Sequence, residues 1–250
     1  MFNAKYAILS TKALPPELKE EAAGHGIAVE DRMFIDVTAV TTEEIEHRIM
    51  SLSWKSGVLV FTSRHAVGAV SSVLPSFLWE HRLPFHGPQL ADVRVYCLQG
   101  ATRQAVEENM PGILIAGTAA NGTELAQKIM EDQVPAVTFL CGNIRRGELP
   151  DTLRAHNIAV EEMVVYNTTE TPTVVEKEYD GILFSSPSGV RSFFSVNTPP
   201  RHTVCFAIGE TTAAALRDVT DNRVITSHEP SADALLGTAI YYFDNINCYE

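Results

Sequence analysis

The sequence contains no run of eighteen apolar residues, about the length a helix needs to cross a bilayer. Its amino terminus, MFNAKYAILSTKALPP, lacks the basic flank, long apolar region and small-residue cleavage site of a signal peptide. A soluble, cytoplasmic chain that is not exported is therefore expected, with no membrane as a partner. Cysteine is scarce: Cys97, Cys141, Cys205 and Cys248 form no C-x-x-C pair, and three of them sit inside apolar runs, where a thiol behaves as a small hydrophobe. With no H-E-x-x-H and no Cys/His knuckle either, a bound metal is not expected. Basic residues are outnumbered 31 to 19, and the net charge of −12 argues against nucleic acid, whose phosphates need a basic surface. An anionic ligand would have to be held by local donors against the overall field. The sequence also lacks GxGxxG, GxxxxGK[ST] and G-x-S-x-G, so nothing supports dinucleotide binding, nucleoside triphosphate binding or a serine-elbow hydrolase.

What is present is a repeat. At an offset of 131, AILSTKALPPELKEEAAGHGIAVEDRMFID lies on TFLCGNIRRGELPDTLRAHNIAVEEMVVYN without a gap, and eight of thirty positions are identical, where composition alone gives about two. Further blocks follow at other offsets: VFTSRHAV on LFSSPSGV, VYCLQGATRQAV on CFAIGETTAAAL, and LIAGTAANGTELAQKI on VITSHEPSADALLGTA. The chain is two copies of one unit. Within each copy the apolar runs YAILS, GVLVFTS, RVYCLQG, GILIAG, AVTFLCG, GILFSS and VCFAIG are continuous rather than alternating, as in strands buried on both faces of a parallel sheet. Most are followed by a small or polar cap and helical spacing, as at Asn121, Gly122 and Thr123. The expected fold is α/β: two similar doubly wound parallel-sheet domains, with ligand groups at the carboxyl ends of the strands. The longer, charge-flanked segments IAVEDRMFIDVT and IAVEEMVVYNTTETP read as extended connectors that pair with each other between the domains.

The strand ends share a composition: FTS with Thr62 and Ser63, QGAT with Thr102, CGNIRR with Gly142, Asn143 and Arg145, SSPSG with Ser186, and GETT with Gly209, Thr211 and Thr212. Glycine, serine and threonine at a strand-to-helix junction leave backbone N–H groups and hydroxyls at a helix amino terminus, which suits a carboxylate or phosphate. Five such junctions point to a polar cleft for an extended anion, although each hydroxyl alone also reads as an ordinary helix cap. Arg145 and Arg146 are the only adjacent arginines, and guanidinium matches carboxylate bidentately. Tyr166, whose counterpart in the first copy is Ile35, ends the second connector; its phenol could serve a leaving group or simply be a satisfied core hydroxyl.

FTSRHAV, FLCGNIRRGELPDTLRAHNIAVEEMVVYNT, ILFSSPSGVRSFF, FAIGETTAAAL and EPSADALLGTAI together resemble the uroporphyrinogen-III synthase family, in order and over nearly the whole chain. The resemblance implies two α/β domains joined by a two-stranded β connector: residues 1–34 with 172–250 in one, 39–158 in the other, and connectors at about 28–38 and 159–171. It implies cyclisation of the linear tetrapyrrole hydroxymethylbilane to uroporphyrinogen III, with loss of water and inversion of ring D, by a lyase that needs no cofactor and is by default a monomer. It carries substrate contacts onto Ser63, Thr102, Gly142, Asn143, Ser186, Thr211 and Thr212, and assistance of hydroxide loss onto Tyr166. Family members often have proline at the position of Arg64 and arginine or asparagine at the next, where this chain has His65; Arg64 is taken for that part. Substrate is the expected partner, and transient contact with the preceding or following pathway enzyme is left open. From the residues alone, two similar lobes also fit a non-catalytic small-molecule-binding module.

Overall fold

The computed structural model describes residues 4–52, 57–74 and 93–245. Its elements, in chain order, begin with β1 (Tyr6–Ser10), α1 (Pro16–Gly24), β2 (Ile27–Asp31), β3 (Ile35–Ala39), α2 (Glu43–Ser51), β4 (Val58–Phe61), α3 (Arg64–Val73) and β5 (Arg94–Leu98). They continue with α4 (Ala101–Asn109), β6 (Leu114–Ala119), α5 (Gly122–Glu131), β7 (Ala136–Gly142), α6 (Glu148–Ala155) and β8 (Ala159–Glu170). The last are β9 (Gly181–Phe184), α7 (Pro187–Phe194), β10 (Val204–Ala207), α8 (Glu210–Arg217), β11 (Val224–Thr226) and α9 (Ala232–Asn245). Among the described residues no helix is long and apolar enough to cross a membrane, and no cluster of His, Cys, Asp and Glu could hold a metal ion.

The chain folds as two compact units, Met1–Asp36 with Thr169–Glu250, and Val37–Thr168. The first holds a sheet in the order β11-β10-β9-β1-β2, with every pair parallel. The second sheet runs β3-β8-β7-β4-β5-β6, parallel from β8 to β6. The apolar runs explain the strands: all four residues of β4, β9 and β10 are buried. Alternate residues serve opposite faces. Leu59 and Phe61 pack into one apolar cluster of the second unit while Val58 and Val60 pack into another, and Leu183 is likewise separated from Ile182 and Phe184 in the first unit. A strand that must be apolar on both sides reads as an unbroken hydrophobic run.

The sequence repeat and the compact units do not coincide. The first copy contributes β1-α1-β2 to the first unit and β4 through α5 to the second; the second copy contributes β7-α6-β8 to the second unit and β9 through α9 to the first. Each sheet is therefore completed by a βαβ arm from the other copy. The expected connectors are shorter than the segments that suggested them. Ile27–Asp31 is an ordinary sheet strand paired with β1, and β8 pairs with β7 from Ala159 onward, because these backbones complete their own sheets. Past Asp31 the chain pairs with the later part of β8 and the residue after it: Val40 N–H donates to Val165 O at 2.9 Å and Thr171 N–H to Phe34 O at 3.0 Å. Residue numbers fall on one strand as they rise on the other, so β3 and β8 are antiparallel.

The buried thiols are inert by environment. Burial pushes Cys97 and Cys141 up to about 11 and Cys205 to about 12. Burial and the hydrogen bond to Asp132 raise Tyr96 to about 12. Cys248 lies outside the described residues. These groups keep their protons in the folded chain at pH values where an unfolded thiol, with a pKa of about 8.5, has lost its own. The stabilisation is thus complete below that pH and is lost as pH rises toward 11–12. Urea unfolding at pH 8 and pH 10.5 should differ by at least about 1 kcal/mol in favour of pH 8; an equal midpoint would show that these side chains are hydrated in the native state.

Candidate active site

In a doubly wound sheet, ligands collect where the strand order reverses. In the second unit that point lies between β7 and β4: the chain builds β4, β5 and β6 to one side, then returns to place β7 and β8 on the other. A cavity of about 340 Å3 opens there, at the carboxyl ends of β4 to β7. Leu98, Phe139, Ile144 and Leu149 give it apolar lining; Thr62, Ser63, Asn121, Arg145, Arg146, Glu148 and Tyr166 give it polar lining. Phe139 and Leu149 are each only 2% exposed, so they belong at once to the core and to the cavity wall.

The amino termini of three helices border this cavity. Ser63 caps α3 by accepting from His65 N–H at 3.2 Å, and Asn121 caps α5 by accepting from Glu124 N–H at 3.0 Å. Ser63 uses its oxygen as acceptor, and its own O–H remains to donate to a bound carboxylate. Helix α6 starts at Gly147 with no side-chain cap, so its first N–H groups, which have no intrahelical partner, stay available to an anion. Asn143 serves the loop itself: its Oδ1 accepts from Ile144 N–H at 2.9 Å and Thr168 N–H at 2.7 Å, tying the turn after β7 to β8.

Tyr166 reaches the cavity through an irregularity in β8. Cys141 pairs with Val164, but the next residue, Gly142, pairs with Tyr166, so one extra residue is inserted into β8. A bulge of this kind re-aims the side chain that follows it. Val165 stays fully buried, and the Tyr166 ring comes to lie across Gly142: a Cβ built on that glycine would be 2.5 Å from Cζ and 2.9 Å from the hydroxyl. The His65 ring approaches Tyr166 with 5.8 Å between centroids. Arg64, which sequence reasoning took for a substrate contact in place of His65, is exposed on α3 and does not line the cavity.

A family model described as "Uroporphyrinogen-III synthase HemD" matches residues 16–237. The chain belongs to the uroporphyrinogen-III synthase family. Its function is the family's, formation of uroporphyrinogen III in heme biosynthesis. Among solved structures, a mutant uroporphyrinogen III synthase of the extremely thermophilic bacterium Thermus thermophilus is similar with a TM-score of 0.65 at 16% identity, over 98% of this chain and 100% of that one. Uroporphyrinogen-III synthetase of Helicobacter pylori gives 0.64 at 17% identity, over 94% and 99%. The wild-type Thermus enzyme in a second crystal form gives 0.52 at 15%, over 97% and 99%. At these identities the likeness concerns the fold. A comparison with curated protein sequences finds no match.

Of the second-unit residues that the sequence of this uroporphyrinogen-III synthase family member singles out, whether by strand-end composition or by family pattern, Thr62, Ser63, Gly142, Arg145 and Tyr166 line one cavity, while Asn143 and Thr102 do not. Thr102 is 6% exposed in the first turn of α4, and Thr212, its counterpart in the repeat, is 3% exposed in α8. In the first unit, Ser186 caps α7 by accepting from Gly189 N–H at 3.1 Å, Gly209 caps α8 and Thr211 is exposed beside it. Thr11, at the end of β1, joins Ser186 at this unit's own switch point: a Cβ on Gly189 would lie 3.3 Å from Ser186 Oγ and 3.7 Å from Thr11 Oγ1. Sequence reasoning did not single out Thr11, which the repeat sets opposite Gly142 and whose buried hydroxyl donates to Leu183 O at 2.8 Å. It also missed the apolar wall, because Leu98, Phe139 and Leu149 look like any other core residue in a strand or helix.

Proposed function

We propose that the chain cyclises hydroxymethylbilane to uroporphyrinogen III as a carbon–oxygen lyase, with Tyr166 assisting the departure of hydroxide and the cavity of the second unit holding part of the substrate. The observation that carries this reading is the placement of the Tyr166 phenol over Gly142, on a cavity that combines an apolar wall, two arginines and three helix amino termini. Such a lining matches pyrrole rings that bear acetate and propionate arms. The rings meet Phe139, Leu98 and Leu149, and the carboxylates meet Arg145, Arg146, the Ser63 hydroxyl and the unpaired N–H groups of α6.

The chemistry asks little else of the protein. Loss of hydroxide from the ring A hydroxymethyl leaves a cation stabilised by the pyrrole nitrogen. Ring D attacks through its substituted carbon, and the resulting spiro species fragments and recloses inverted. A phenol that donates to the departing oxygen stabilises the charge developing there. Because the free substrate also closes unaided to the uninverted isomer, selectivity rests on holding the chain bent so that the spiro route is nearest. The first-unit residues Ser186, Gly209, Thr211 and Thr212 are proposed as further substrate contacts. Incubation with freshly prepared hydroxymethylbilane, followed by chromatographic separation of the isomers, should give predominantly isomer III. Isomer I in the proportion seen without protein would overturn the reading.

A further inference from the structure

We infer that Glu162 is a positioning residue that fixes Arg145 on the wall of the cavity so that its terminal nitrogens receive a substrate carboxylate. This inference rests on the proposed use of the cavity for a polyacid. Glu162 lies on β8, four residues before Tyr166, and its side chain is only 15% exposed. Its Oε2 accepts from Arg145 Nε, and its Oε1 accepts from Arg154 Nη2 at 2.7 Å. Arg154 is anchored in turn, since Nη2 also donates to Val160 O at 3.3 Å. The carboxylate is thus held from behind by one arginine and holds the other by its Nε. Glu162 takes only Nε, so the two Nη groups, the pair best suited to a second carboxylate, face the cavity side of the clasp, with the Cys141 thiol and the Asp151 carboxylate as their other neighbours. Both arginine contacts hold the Glu162 carboxyl below its ordinary range, the Arg145 hydrogen bond most of all, so the clasp is charged at neutral pH.

The repeat shows what is ordinary and what is special about this position. Glu162 is the counterpart of Asp31 at the offset of 131, and Arg145 is the counterpart of Leu14. In the first unit Asp31 Oδ2 accepts from the backbone N–H of Leu14 at 3.3 Å and pairs with Lys19. An acid at this repeat position, the end of β2 in one unit and within β8 in the other, therefore secures the loop that follows the neighbouring strand. In the first it grips a backbone and a lysine; in the second it grips the guanidinium of a residue that lines the cavity. Backbone anchoring has become side-chain placement. A free arginine on an exposed turn would give up its rotamer freedom on binding, whereas a clasped one has already lost it.

A competing effect predicts the opposite result. Glu162 also neutralises part of the charge of Arg145, so if screening were its main influence, removing it would tighten the binding of a polyanion. Placement makes Glu162→Ala raise KM about tenfold with kcat within about twofold, and Glu162→Gln, which keeps an acceptor for Nε, fall between it and the parent chain. In the background of Arg145→Ala, Glu162→Ala should add less than about twofold, since the two act as one element. Binding of uroporphyrin I, a stable octacarboxylate, followed by fluorescence quenching, should weaken in the same order. KM and uroporphyrin affinity that are unchanged or improved in Glu162→Gln would overturn the inference, and so would additive losses in the double variant. If the parent chain yields no isomer III yet uroporphyrin affinity follows the predicted order, the assignment of the reaction fails while the role of Glu162 stands.

Discussion

Tyr166→Phe should lower kcat about a hundredfold while changing the affinity for product by no more than about threefold. The substitution removes one atom. The ring packs against the buried cluster that includes Phe61, Met163 and Val165, and phenylalanine keeps those contacts and the approach to His65. Only the hydroxyl over Gly142 is lost, and with it the donor proposed to meet the departing oxygen. A group that acts only as the carbon–oxygen bond breaks affects turnover and leaves binding of the finished macrocycle alone. Single-turnover measurements on fresh substrate, corrected for spontaneous closure, separate the two quantities. A rate unchanged by the substitution removes Tyr166 from the chemistry. A loss of product affinity equal to the loss of rate makes it a binding contact instead.

Much of this site was legible in the sequence, for a physical reason. A parallel sheet buried on both faces imposes unbroken apolar runs, and the helix starts that follow impose small polar caps. The strand ends at Thr62, Ser63, Gly142 and Ser186 therefore announce themselves. The repeat was legible too, but its consequence for the fold was not. Adjacent elements of one copy fall in different compact units, and nothing in a pattern of apolar residues says which sheet a βαβ arm completes. Short-range signals were equally silent about Glu162. On a strand with a charged residue before it and a methionine after it, it reads as a solvated side chain; only the return of the chain through α6 brings Arg145 and Arg154 to it. The bulge at Val165 is invisible for the same reason. Alternation along β8 describes one face of a regular strand, whereas the position of Tyr166 depends on one residue too many opposite Gly142.

That dependence makes Gly142 the most sensitive small residue of the site, and Gly142→Ala should cost both activity and stability. The requirement is for space, since Gly142 is not among the glycines with positive φ. An alanine methyl would meet Cζ at 2.5 Å and Cε2 at 2.6 Å, well inside van der Waals contact. An aromatic ring cannot yield locally, and behind it lies the packed cluster around Val165, so either the ring leaves its place or the strand shifts. Overpacking of this kind costs about 1–3 kcal/mol. Displacing the phenol by even about 1 Å costs about a hundredfold in turnover. Gly209 provides the contrast: a Cβ there meets nothing within 4 Å, and alanine should be accommodated. Urea unfolding together with the isomer assay tests the pair, and a third variant separates clash from chemistry. Adding Tyr166→Ala to Gly142→Ala should recover most of the clash component of the lost stability and none of the lost activity, because the obstruction is gone but so is the donor. Gly142→Ala with parental stability and rate would mean that the Tyr166 ring does not lie over this glycine, and the proposed geometry for hydroxide departure would fall with it.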